Sequence, residues 1–223
     1  MLNRYADALA GIGQNEKALR LFERSLQIEP NDSITLSQYA GALAATSQDE
    51  EASQFFERSL QIQPNDAITL SRYADTLAAT GQNEKSLQFF ERSLQIEPND
   101  SITLSQYAGA LTATSQDEEA LQFFERSLQI QPNNSITLSR YANALTSTGR
   151  DEKALQFFER SLQIRSNNSI TLSRYASTLA ATGQDEKALQ FFERSLQIRP
   201  NDAITLSCYA STLAATGQAE EAF

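Results

Sequence analysis

The chain has 223 residues and a formal net charge of −10; 40% of it is hydrophobic, with one Cys, one Met, and neither Trp nor His. This acidity argues against a nucleic-acid partner or an anionic membrane surface, since phosphate binding needs a basic face. The apolar content excludes a low-complexity disordered chain, and a lone Cys208 excludes an intramolecular disulfide.

The opening stretch "MLNRYADALAGIGQ" lacks the long apolar segment of a signal peptide. No run approaches the ~18 apolar residues of a membrane span. The expectation is a soluble, cytoplasmic protein. Met1 falls inside a first helix that carries Tyr5, and Leu21-Phe22 lies in a second helix that closes before Pro30. The pair then returns. Tyr5, Tyr39, Tyr73, Tyr107, Tyr141, Tyr175 and Tyr209 follow one another at intervals of 34 residues. Pro30, Pro64, Pro98, Pro132 and Pro200 keep the same step, with Ser166 in the missing place, as do the aromatic pairs from Phe55-Phe56 to Phe191-Phe192. Periods of this size announce a repeat architecture.

Each period predicts two helices. In the first, Leu36, Tyr39, Ala40 and Leu43 fall at i, i+3, i+4 and i+7, a single helical stripe. The "PND" before it offers Asn65 or Asp66 as an N-cap after Pro64. Gly81, Gly149, Gly183 and Gly217 suit a left-handed residue at its end. Ser47 and Ser115 stand in that place in alternate repeats, so the turn is not expected to be strictly left-handed there. The second helix opens at "QDE" or "QNE" and shows Ala52, Phe55, Phe56, Ser59, Leu60 and Ile62 on its apolar side. A pair this short cannot bury both stripes alone and must stack on a neighbour. The predicted class is all-α, an α-solenoid of stacked antiparallel helix pairs. It is read as a single array over 1–223: a partial repeat at 1–32, whole repeats at 33–66, 67–100, 101–134, 135–168 and 169–202, and a partial repeat at 203–223.

The pattern resembles the tetratricopeptide repeat family, whose signature is W-x2-L-G-x2-Y, then A-x3-F, then P. The equivalents are Leu36, Tyr39, Ala40 and Leu43, then Ala52, Phe56 and Pro64, and the resemblance covers essentially the whole chain. Tyr and Leu have traded places in the first helix, which roughly preserves volume. Ala40 replaces the small Gly. Ser59 stands where the family has Ala, and its hydroxyl is expected to bond back to a carbonyl one turn earlier. The resemblance implies a right-handed superhelix whose first helices line a concave face.

Alternate repeats match best: Arg4, Gln38, Arg72, Gln106 and Arg140 alternate, and the pattern decays after Arg140. Phe223 falls just inside a second helix. The expectation is a segment of a longer array, or an array closed by head-to-tail self-association through its ends.

No catalytic motif is present, and with no His the commonest general base and metal ligand is missing. Glu57, Glu91, Glu125 and Glu159 form a column of like groups, whereas catalysis needs unlike groups converging on one place; solvated helix faces are expected. The column of Arg58 beside that Glu reads as a local charge ladder, with Arg stems also able to cover apolar surface. The Tyr39 and Phe56 columns read as core. No enzyme activity, cofactor or metal is expected.

The resemblance places partner contacts on the outward stripe of the first helices, the columns of Ile34, Ser37, Gly41, Ala44 and Ala45, with the Gln38 column at the edge. The candidates are Ile68, Ser71, Arg72, Asp75, Ile102, Ser105, Gln106, Ile136, Ser139, Arg140, Asn143, Ile170, Ser173 and Arg174. The Ile column offers an apolar ladder, with packing on the preceding second helix as its alternative, and the Ser column offers hydroxyls. The column of Asp7, Gly41, Asp75, Gly109, Asn143, Ser177 and Ser211 is the most variable. A subfamily clamps a chaperone's terminal carboxylate with Lys and Asn; the Ser37 column has no Lys, so that ligand is not expected, though Arg72, Arg140 and Arg174 could meet an acidic peptide. The leading reading is a non-catalytic scaffold binding a peptide or protein segment in its concave groove. A regulatory repeat segment of a larger signalling enzyme and a self-assembling spacer are the alternatives.

Overall fold

A computed structural model describes residues 2–217, and every regular element among the described residues is an α-helix. The second helix expected to hold Phe223 lies outside them. The chain divides into two compact units, residues 1–114 and 115–223. The first unit contains α1 (Leu2–Gly11), α2 (Asn15–Ile28), α3 (Ser33–Ala44), α4 (Asp49–Ile62), α5 (Ala67–Ala79), α6 (Asn83–Ile96) and α7 (Ser101–Ala113). The second contains α8 (Asp117–Ile130), α9 (Ser135–Ser147), α10 (Asp151–Ile164), α11 (Ser169–Ala181), α12 (Asp185–Ile198) and α13 (Ala203–Ala215). Within each unit every helix packs on the next in chain order. Odd-numbered helices also touch one another, α1 on α3, α3 on α5 and α5 on α7, then α9 on α11 and α11 on α13. This is α-solenoid construction, antiparallel pairs stacked one on the next.

The first helices start where side chains can satisfy the free N–H groups of an opening turn. Of the two cap candidates the second is used: the Asp66 carboxylate accepts from Thr69 N at 3.0 Å, and Asp100 from Thr103 N at 2.8 Å. Asn134 and Asn168 cap α9 and α11 in the same way. The turns to the second helices are left-handed throughout, with φ of 76° at Gly81, 72° at Gly149 and 76° at Gly183. The expectation that serine relaxes this turn is corrected, since Ser47 and Ser115 hold φ of 60° and 61°. Two hydrogen bonds impose the shape: Ser47 N reaches Ala44 O at 3.0 Å and Gln48 N reaches Leu43 O at 3.0 Å. They close the helix end whatever residue stands there.

The core is built from one large ring and small partners. Phe22, Phe56, Phe90, Phe124, Phe158 and Phe192 are fully buried, as are Ala18, Ala52, Ala120, Ala154 and Ala188 on the same helices. Each such Phe contributes about 1.5–3 kcal/mol by leaving water. Tyr39 packs against Phe22 behind it and Phe55 ahead, with ring centroids 6.3 and 4.7 Å away. Tyr175 does the same between Phe158 and Phe191, at 6.1 and 4.7 Å. Ile62, expected on the apolar side of α4, is instead 44% exposed. It occupies the helix's final position.

Polar side chains tie the pairs together, and here two expectations are corrected. Ser59 does not bond back along its own helix. Its hydroxyl donates to Ser33 O at 2.8 Å, on the first residue of α3. Ser93, Ser161 and Ser195 reach Ala67 O, Ser135 O and Ser169 O in the same manner, at 2.8 to 2.9 Å. A hydroxyl in place of alanine thus pins the two helices of one repeat. In the Arg58 column it is the expected cover of apolar surface that the structure shows, and Arg58, Arg92, Arg160 and Arg194 reach a carbonyl where a charge ladder was expected. Arg58 lies over the Phe55 ring, 5.2 Å from its centroid, and donates to Pro30 O at 3.2 Å. Arg92 on α6, Arg160 on α10 and Arg194 on α12 repeat this staple, with Ser166 O accepting from Arg194 where proline is missing. A carbonyl serves whatever the side chain, which is why the serine at 166 leaves the contact intact.

Candidate partner-binding groove

In the first unit α1, α3, α5 and α7 wall a cavity of about 540 Å³. Its floor is made of small residues, Ala10, Gly11, Gly41, Ala42, Ala45 and Ala79. Over them stand Asp7, Gln38, Arg72, Asp75 and Gln106, with Asp49 and Asn15 from the second-helix side. An added Cβ at Gly41 or Gly11 would meet nothing within 4 Å, so the floor faces open space. Gln38 Oε1 is buried and has no hydrogen-bond partner in the protein. The equivalent oxygen of Gln106 accepts from Ser71 Oγ at 3.2 Å; the residue in the matching place for Gln38 is Asn3.

Of the residues expected here, Arg72, Asp75 and Gln106 come together at this cavity. Ile68 and Ile102 are each 57% exposed on α5 and α7 but do not line it. Ile136 and Ile170 are exposed on α9 and α11 of the second unit. The Ser column does not offer free hydroxyls. Ser71, Ser105, Ser139 and Ser173 are buried. Thr103 Oγ1 donates to Ser71 Oγ at 2.9 Å, Thr171 to Ser139 at 2.9 Å, and Thr205 to Ser173 at 2.8 Å. These pairs join consecutive first helices. Each Ser hydroxyl in these pairs is taken up by the Thr two places before it in the next repeat, so it is not a free ligand group. The missed signal was a Thr recurring at 35, 69, 103, 137, 171 and 205 without exception. Ala44, Ala45 and Ala79 lie in columns expected to meet a partner, whereas Ala42, Thr76, Asp49 and Asn15 complete the cavity from outside those columns.

In the second unit Arg140 is partly buried on α9, beside Asn143, and Arg174 stands on α11. Arg174 is exposed, but the solvent it loses against neighbouring side chains lowers it from the usual arginine range, and the Arg140 guanidinium lowers it further.

The Glu column, expected to be solvated, has a structural use. Tyr73 donates to Glu57 at 2.8 Å, Tyr107 to Glu91 at 3.1 Å, Tyr141 to Glu125 and Tyr175 to Glu159 at 2.5 Å. Burial first, then Glu23, pushes the Tyr39 phenol up to about 12, and Tyr73, Tyr141 and Tyr175 rise for the same reasons. Among the described residues no group of three or more acidic, His or Cys side chains could hold a metal ion. No helix among them is long and apolar enough to cross a membrane.

Two family models, both described as tetratricopeptide repeat, match the chain: one at residues 3–68 and the other at 65–133, 99–167 and 133–201. The chain belongs to the tetratricopeptide repeat family. No curated protein matches it. Among solved structures, the tetratricopeptide array of this chain resembles the APC/C hetero-tetramer Cut9-Hcn1, with a TM-score of 0.86 and 14% identity over 92% of this chain and 40% of that one. It therefore spans well under half the length of that relative. It also resembles PilF of Pseudomonas aeruginosa, with a TM-score of 0.79, 16% identity and 96% of both chains covered. A third is YrrB, described as a TPR protein with an unusual peptide-binding site, at 0.61 and 18% over 83% of this chain and 96% of that one. At these identities the likeness is one of fold. Tetratricopeptide arrays of this fold are of the protein-interaction scaffold type.

Proposed function

We propose that the chain is a single tetratricopeptide array acting as a non-catalytic scaffold in the cytoplasm, and that the exposed faces of its first helices bind an extended peptide or protein segment. The observation that carries this is the cavity of the first unit. Four consecutive first helices present charged and amide side chains over a floor too small to fill the space. Gln38 Oε1 adds a buried acceptor that a peptide N–H would satisfy, and an unpaired buried acceptor costs about 1–3 kcal/mol. Like groups repeated at a fixed interval favour a partner that is itself periodic, such as an extended backbone. The peptide-binding site named for YrrB is in keeping with such a partner.

A direct test selects displayed random peptides on the intact chain and measures their binding to Gly41→Trp. The indole would stand in the open space over Gly41. Peptides weakened at least about tenfold support the groove; this corresponds to losing one good contact. Peptides that bind both proteins equally would place recognition on another surface.

A further inference from the structure

The third residue of each second helix runs Lys17, Glu51, Lys85, Glu119, Lys153 and Lys187 at the 34-residue step. In the second unit this lysine folds back on the tyrosine of the helix before it. Lys153 Nζ donates to Tyr141 Oη at 3.0 Å, lies 3.6 Å from Glu125 and stands 5.5 Å from the centre of the Tyr141 ring. Lys187 takes the same seat, 3.3 Å from Glu159 and 5.4 Å from the centre of the Tyr175 ring. Phenol oxygen, carboxylate and ring face together thus hold a primary ammonium. The first unit builds the same seat. Tyr39 donates to Glu23 at 3.2 Å, and its ring centre lies 4.7 Å from that of Phe55. Helix α4, however, brings Glu51 in place of lysine, near enough for its charge to raise the Tyr39 phenol. Among the described residues neither Glu23 nor Glu51 is ion-paired with a cation. Two carboxylates therefore flank Tyr39 where Tyr141 has one carboxylate and one ammonium. Beside them opens a cavity of about 330 Å³, lined by Glu23, Leu26, Pro30, Tyr39, Phe55 and Arg58. It shares no lining residue with the groove cavity. Arg58 leaves the seat open, because it is stacked on Phe55 and bonded to Pro30 O. Arg160 keeps that same pose on Phe157 while Lys153 sits on Tyr141.

We propose that Glu23, Tyr39 and Glu51 form a receptor for a lysine side chain of a partner protein, seated between α2 and α4 as Lys153 is seated on Tyr141 and Glu125. The ammonium meets the Tyr39 oxygen and both carboxylates, and its alkyl stem lies along Leu26, Pro30 and Phe55. A compact point charge on a flexible stem suits this narrow seat better than the broad fork of a guanidinium. A hard inorganic cation takes about six or more oxygen ligands, whereas this seat offers ring faces and an apolar wall. The net charge of −10 draws a basic partner toward the chain before the contact forms. The receptor is separate from the groove and does not depend on it.

The test uses the full chain, Glu51→Lys, Glu50→Lys and Gly41→Trp. Lysine already stands in this column at 85, 153 and 187, so Glu51→Lys carries a residue the fold accepts and supplies the occupant from within the chain. Glu50→Lys makes the same change of charge at the exposed neighbouring position. The probes are a labelled oligolysine, its Nε-acetylated form and an oligoarginine, with binding read by fluorescence anisotropy. The expected result is that Glu51→Lys weakens oligolysine at least about fivefold, the scale of one ammonium held by a carboxylate and a ring. Glu50→Lys should weaken it less than about twofold, as a remote exposed charge does. Acetylation should abolish the dependence on Glu51, and Gly41→Trp should leave oligolysine binding as it was. Equal weakening by Glu51→Lys and Glu50→Lys means attraction to overall charge and overturns the receptor, as does unchanged binding by Glu51→Lys. Oligoarginine showing the same dependence on Glu51 overturns the assignment to lysine. Oligolysine lost on Gly41→Trp but kept by Glu51→Lys places the amine in the groove and overturns the seat at Tyr39.

Discussion

The two units are copies in their cores and differ where charge meets solvent. Both bury the same phenylalanine, both donate a tyrosine hydroxyl to a glutamate, and both pin serine to a carbonyl. In the second unit lysine joins the tyrosine–glutamate bond. Lys153 donates to Tyr141 at 3.0 Å and lies 3.6 Å from Glu125, and Lys187 lies 3.3 Å from Glu159 and 5.4 Å from the centre of the Tyr175 ring. In the first unit the same column holds Glu51, whose charge raises the Tyr39 phenol, while Lys17 and Lys85 donate to Gln14 and Gln82 on their own turns. Shape is thus held by what cannot change without leaving a void, and charge is free to be edited repeat by repeat.

The largest effect tests the shared layer. Phe56→Ala and Phe158→Ala should each cost about 3–5 kcal/mol in chemical denaturation of the whole chain; a difference of more than ~2 kcal/mol between them would break the equivalence of the cores.

Alkali should act on both units. The folded chain holds the Tyr39 phenol at about 12 against an ordinary 10.0, so it favours the protonated form. That contribution is complete below pH 10 and lost as the pH climbs toward 12. Lys153 and Lys187 are raised as well, so the second unit loses their help over the same rise. Circular dichroism against pH should show the fall; a flat profile would deny the phenols their role.

A smaller change distinguishes the turns. Ser47→Gly should stabilise by about 1 kcal/mol, because serine bears a left-handed cost that glycine does not, whereas Gly149→Ser should destabilise by a similar amount in the same denaturation assay. Least of all, Glu51→Lys should add about 0.2–1 kcal/mol by giving Tyr39 and Glu23 the cation that Lys187 gives Tyr175 and Glu159. Hydrogen exchange of α3 and α4, slowed in the variant, would register it.

Period and stripe made the helix pairs, their caps and the tyrosine and phenylalanine core legible in the sequence. A 34-residue step with Pro and Phe in register leaves little choice of class. Period alone does not say which polar residues face one another. Ser37, Ser59, Glu57 and Arg58 recur identically whether they meet water or a neighbouring helix. Only the stack shows that Ser59 reaches a carbonyl, that Glu57 accepts from Tyr73, and that Thr69 donates to Ser37 at 2.7 Å. Ser47 misled for a different reason: its turn is dictated by two backbone hydrogen bonds, which no side chain announces. At the cavity, Arg72, Asp75, Gln106 and the Gly41, Ala44 and Ala45 columns were legible as an outward helical stripe, whereas Ala42, Thr76, Asn15 and Asp49 lie off that stripe.

The polar ties between helices have fixed reach: 16 residues from tyrosine to glutamate, 26 from serine to carbonyl, 28 from arginine to carbonyl and 32 from threonine to serine. These recurring ties are shorter than one period, and the Ser71–Gln106 bond spans 35 residues, so each closes within a repeat or onto the next. A gene carrying this array can therefore gain or lose whole periods and re-form every tie at the new junction. A length change of any other size would put the wrong residue opposite each donor and strand buried hydroxyls on both sides of the cut. The buried phenylalanines keep the same step, so packing and hydrogen bonding demand one and the same unit of length.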